Sequence, residues 1–146
     1  MSKQGRYLYG GAQQVVWLIE GLARRGIENV LVSPTGADIA TAAVGNARVH
    51  AIKMSGDLDL GLVPRLLRIL RAEKPDLVHI HSRRGADIYG GLAARIVGIP
   101  AILSRRVDNR ESRLLSPFKY ALYGRVVVIS KAIGSVLVSC GVDASK

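Results

Sequence analysis

Two imidazoles one residue apart, His79 and His81, run straight into Ser82, Arg83 and Arg84. Histidine donates, accepts or ligates according to its surroundings, and arginine is a fixed fork of donors suited to phosphate. The apolar run Asp76 to Ile80 just ahead follows a long amphipathic stretch and the break at Pro75, so it reads as a buried strand of an α/β sheet. Side chains alternate along a strand, so His79 and His81 share one face and Ile80 takes the other. Ligands of open α/β sheets bind beyond the carboxyl ends of the strands, which makes the charged exit after Ile80 a candidate site. His79 reads as a half-buried structural histidine, and His81, at the exit, as the residue that touches a ligand.

A second group with chemical potential is Gly10-Gly11, which opens a helical pattern. Glycines let the backbone approach a ligand closely, and a helix N-terminus offers unpaired N–H groups with partial positive charge, an arrangement suited to phosphate. A third is the charged run from Arg105 and Arg106 to Asp108 and Arg110. Zinc on His79 and His81 would need a third ligand, Asp87 or Asp108, that the spacing does not specify. Neither the dinucleotide fingerprint Gly-x-Gly-x-x-Gly nor a P-loop is present, and no Gly-x-Ser-x-Gly elbow provides a nucleophilic serine.

The elements that must position these residues alternate regularly. Strands are expected at 28–33, 47–52, 76–80, 101–104 and 125–129, with a very short strand or none at 6–9. Helices are expected at 13–25, 38–44, 62–73, 85–97, 116–123 and 133–140. In the helix at 85–97 the large apolar residues Ile88, Leu92 and Ile96, with Ala93, are expected to face inward. Gly98 and Pro100 punctuate its end, Ser130 is a cap, and Gly26 and Gly141 are stops. The alternation implies an α/β fold of three layers, a Rossmann-like, doubly wound and mostly parallel sheet whose first strand is short or missing. Such a gap exposes sheet edges through which two copies could pair.

The 146 residues fit one domain, and 49% hydrophobic residues suffice for a core. No apolar run approaches the roughly 20 residues of a bilayer span, and no signal peptide opens the chain, so the cytoplasm is the expected compartment. Cys140 is the only cysteine, which excludes an internal disulfide and makes packing its expected role. The net charge is +10, yet residues 1–60 carry 6 basic and 5 acidic side chains, so nearly all of the excess lies beyond them. Such a field attracts nucleic acid, nucleotide phosphates or an anionic membrane surface. Aromatic content of 5% and the lack of a helix with one clean basic stripe count against nucleic acid.

Several segments in order carry a resemblance: Gly-Gly-Ala-Gln-Gln-Val-Val at 10–16, Leu-Ala-Arg-Arg-Gly at 22–26, Lys-Pro-Asp-Leu-Val-His-Ile-His-Ser at 74–82, Gly-Leu-Ala-Ala-Arg-Ile-Val-Gly-Ile-Pro at 91–100, Ser-Arg-Arg-Val-Asp at 104–108 and Val-Val-Val-Ile-Ser-Lys-Ala-Ile at 126–133. Together they resemble the N-terminal, acceptor-side half of a GT-B glycosyltransferase of family four, a group of retaining, nucleotide-sugar-dependent enzymes. The resemblance implies that residues 1–146 are one Rossmann-like half, with the C-terminal donor-binding domain absent and the fragment inactive alone. It implies Gly10 and Gly11 at the donor, His81 as the catalytic-site residue at the donor sugar, and Arg105, Arg106 and Asp108 on the acceptor side. It further implies a metal-independent reaction with a nucleotide sugar as substrate and a cell-envelope saccharide or lipid-linked acceptor. Peripheral contact with the inner face of an anionic membrane would suit the basic charge. The alternative is a basic binding module for nucleic acid or an anionic membrane surface.

Overall fold

The computed structural model describes residues 8, 10–81, 85–106 and 114–146. The chain divides into two compact units, Met1–Met54 and Ser55–Lys146, each described by itself.

In the first unit, α1 (Gly11–Ala23) is followed by β1 (Val30–Pro34), α2 (Asp38–Ala42) and β2 (Arg48–Ile52). The strands pair in parallel from Val30 opposite Arg48 to Pro34 opposite Ile52. Val15 and Ile19, one helical turn apart on α1, bury against Ala43, Leu31 and Val49. Gly26 ends the helix at φ 76°, and the Ile27 N–H reaches back to the Leu22 carbonyl at 3.1 Å. The side-chain amide of Asn29 donates to the carbonyls of Ile19, Ile27 and Asn46 at 3.1, 3.2 and 3.2 Å, which ties the helix and the approaches to both strands together.

The second unit contains α3 (Leu62–Glu73), β3 (Val78–Ile80), α4 (Ala86–Val97), β4 (Ala101–Arg105), α5 (Ser116–Ala121), β5 (Arg125–Val128) and α6 (Lys131–Ser139). Its sheet runs β3-β4-β5 and is wholly parallel. Lys74 ends α3 in the left-handed conformation, φ 47°, with Pro75 next to stop the helix. Gly98 closes α4 at φ 74° while the Ile99 N–H bonds to the Ala94 carbonyl at 2.9 Å, and the Ser130 hydroxyl accepts the Ile133 N–H at 3.3 Å to cap α6.

Parity divides this sheet. Val78, Ile80, Ala101, Leu103, Val126 and Val128 face the core, where they meet Ala94 of α4, Tyr120 of α5, Tyr123 and Leu137 of α6. Cys140 is buried, as packing requires. The opposite face carries His79, Ile102, Ser104 and Val127. The carboxyl end of the ladder is therefore backed by a packed layer on one side and bears the polar side chains on the other.

One expectation needs correction. Ala93 is buried as expected, but Ile88, Leu92 and Ile96 do not turn inward; they are 45%, 37% and 52% exposed, while α4 also buries Asp87, Gly90, Gly91 and Ala94. These four are also one helical stripe, and the reason they win is closeness. A Cβ on Gly91 would lie 2.9 Å from the Tyr123 ring, and one on Gly90 would overlap Ile80. Only small residues let α4 approach the sheet this far, so the large apolar side chains are turned out. The parallel ladders form two groups, β1-β2 in the first unit and β3-β4-β5 in the second. The short first strand was expected at 6–9, of which only Leu8 is among the described residues.

Candidate functional site

β3 and β4 set the geometry. Their register pairs Val78 with Ala101, His79 with Ile102 and Ile80 with Leu103, so the imidazoles and the side chains of Ile102 and Ser104 emerge on the same face. His79 Nε2 and Ser104 Oγ share a hydrogen bond at 2.8 Å. One step further along both strands, Arg106 Nη2 donates to His81 Nδ1 at 3.0 Å. The two contacts have the same offset of 25 residues, so one register produces both. The imidazole rings stack with centroids 3.8 Å apart and a tilt of 37°.

Packing these groups together disfavours their protonated forms. Burial pushes His81 down to about 3, with the neighbouring His79 and Arg106 adding to the effect. His79 is lowered for the same first reason, burial, and then by Arg106. Both rings are thus neutral at neutral pH. What they offer is hydrogen bonding, not charge.

A stability consequence follows, and its sign is fixed. Above the ordinary histidine value of 6.5 neither folded nor unfolded chain is protonated at these rings, so they add no pH dependence. Below it the unfolded chain takes up protons that the folded chain refuses, and stability falls with pH until His81 itself titrates near 3. The expected slope is up to about 1.4 kcal/mol per pH unit for each ring held neutral. Urea unfolding between pH 4.5 and 7.5, with and without His79→Asn/His81→Asn, measures it. A slope untouched by the double substitution would contradict the assignment.

The other sequence-predicted residues separate. Arg105, expected in the loop, is instead the last residue of β4, opposite Val128, and is 5% exposed on the core side with Ala101 and Leu103. Arg106 is half-buried on the histidine side, so the arginine pair points to two faces. Asp108 lies outside the described residues. Gly10 and Gly11 belong to the first unit. Gly10 is exposed, with φ 57° and nothing near where a Cβ would stand, and Gly11 begins the 13-residue α1, so the glycine-to-helix arrangement is realised locally. Asp87, weighed as a zinc ligand, is ion-paired with Lys119 in the core. Among the described residues no three His, Cys, Asp or Glu side chains converge as a metal site would need. Sequence reasoning missed Ser104 as the partner of His79; the signal was the shared parity of 102, 104 and 106 in the neighbouring strand.

Comparison with known proteins agrees with this architecture. The family model described as Glycosyltransferase Family 4 matches residues 9–146. The GDP-mannose-dependent alpha-mannosyltransferase of Mycobacterium tuberculosis (strain CDC 1551 / Oshkosh) is 35% identical over 109 residues, which cover 68% of this chain and 29% of that protein. The crystal structure of Acinetobacter baumannii MurG superposes with a TM-score of 0.61 at 20% identity, over 82% of this chain and 38% of that one. At that identity the likeness establishes the fold, a Rossmann-like half of the GT-B type. The chain thus spans under a third of the curated relative and well under half of the solved one. Among the described residues no helix is long and apolar enough to cross a membrane.

Proposed function

The chain belongs to glycosyltransferase family 4, and from that premise we propose that it is the acceptor-side domain of a retaining enzyme that moves a sugar from a nucleotide-sugar donor to a saccharide or lipid-linked acceptor of the cell envelope. The observation that carries this reading is the neutral His81 held at the carboxyl edge of a parallel sheet, where ligands of such sheets bind. In the proposal His81 donates to a hydroxyl of the donor sugar, and Gly10 and Gly11 approach the diphosphate. Of the residues expected at the acceptor, Arg106 and Asp108 stay in this reading, while Arg105, buried on the core side of β4, leaves it. GDP-mannose is the first donor to test, because the curated relative is GDP-mannose-dependent. Transfer needs no metal in this reading, and it needs a second, donor-binding domain, in keeping with the greater length of the relatives.

The test joins this chain to the remaining part of the Mycobacterium relative and measures mannosyl transfer. His81→Ala is expected to lower kcat/KM about ten- to a hundredfold, the loss of one or two well-placed hydrogen bonds in a water-poor site. Transfer at an unchanged rate would remove His81 from the site.

The net charge of +10 favours a second, compatible reading: a cytoplasmic protein that docks on the anionic inner face of a membrane. Leu114, Leu115 and Phe118, exposed by 81%, 69% and 76%, would be its apolar contacts.

A further inference from the structure

We propose that Arg106 is a positioning residue that fixes His81 as the tautomer with its proton on Nε2, so that His81 meets its ligand as a pure hydrogen-bond donor. The inference deepens the site reading above and rests on His81 being the ligand-contacting residue.

A guanidinium has five N–H donors, no acceptor, and does not lose its proton in proteins. At 3.0 Å from Arg106 Nη2, His81 Nδ1 has to present its lone pair. A neutral imidazole carries one proton, which leaves Nε2 as the site that bears it. Protonating the ring would set an N–H against an N–H and a cation against a cation, so the same contact that selects the tautomer also opposes the charged form. His79 stacks on the ring from the same strand, with its own Nε2 engaged by Ser104, and limits rotation out of the arrangement. Among the described residues the titratable and charged groups found against His81 are therefore His79 and Arg106.

Chemical specificity follows. An Nε2–H donor selects an oxygen lone pair, as in a sugar hydroxyl or a phosphoryl oxygen, and cannot accept from an N–H or take up a proton at neutral pH. His81 is thereby excluded as a general base. Arg106, offered by the sequence as an acceptor contact, acts through His81 in this arrangement.

The experiment is long-range nitrogen–proton correlation NMR on the full chain labelled with nitrogen-15, with His81 assigned by its disappearance in His81→Gln. The native ring is expected to show the Nε2–H tautomer with Nδ1 unprotonated, unchanged from pH 8 to pH 5.5. Arg106→Met should mix the tautomers and raise the titration midpoint of His81, and Arg106→Lys, which still donates, should restore most of the native pattern. A native ring protonated on Nδ1, or a tautomer indifferent to Arg106→Met, overturns the proposal. The native spectrum alone decides if Arg106→Met does not fold. Because no sugar or nucleotide enters the measurement, a failure here is distinct from a failure of the transfer assay.

Discussion

Tyr123→Ala is expected to unfold the second unit, or to leave it barely stable. The ring is 1% exposed at the centre of the core that backs the histidine-bearing sheet, and it fills the space opposite Gly91. Removing a buried aromatic side chain costs about 3–5 kcal/mol, a large part of the roughly 5–15 kcal/mol that holds a domain together. The hydroxyl adds a separate contribution, because it donates to the Asp87 carbonyl in the first turn of α4. Burial and the negative charge of Asp87 both raise the phenol above its ordinary range, so it stays protonated and keeps donating. Tyr123→Phe should therefore cost about 1–3 kcal/mol, the penalty of stranding a buried acceptor. Urea midpoints for the two variants test the order. A Tyr123→Phe variant as stable as the native chain would mean that the hydroxyl contributes nothing.

Lys119→Met should be nearly as damaging. Its ammonium is paired with the Asp87 carboxylate, and the two side chains are only 12% and 8% exposed. Breaking such a pair from one side leaves an uncompensated charge out of water, at a cost of about 3–5 kcal/mol. Lys119→Met/Asp87→Asn removes both charges and should recover most of that loss. A double-mutant cycle by urea unfolding reads the coupling, and additive losses would show that the pair is not acting as a pair. The two substitutions probe one joint: the amide carbonyl and the carboxylate of Asp87 fasten α4 to the segment around α5 from two directions.

Much of this was legible in the sequence because the signals are local. The strand and helix alternation, the stop at Gly98-Ile99-Pro100 and the Ser130 cap depend on a few neighbouring residues, and they are found where those residues require. The face of α4 was not legible. Hydrophobic periodicity favours the stripe with the largest side chains, whereas the choice here was made by the distance to Ile80 and Tyr123, which a single helix cannot reveal. The fate of Arg105 has a similar cause: one extra residue in β4 takes it from a loop to the core side of the sheet. At the site, His81 stood out through its place after a buried strand. Its link to Arg106 did not, since that contact exists only once β3 and β4 settle into one register.

A ring that carries no charge gives its guest no reason to leave when acidity changes. If His81 holds a ligand as proposed, its grip should be equally strong through the ordinary metabolic swings of a cell, and an acid response of the proposed transfer would have to originate in other groups. In that reading the tightly layered imidazoles work as an insulator against the medium, and selectivity is left to where the oxygens of the cargo lie.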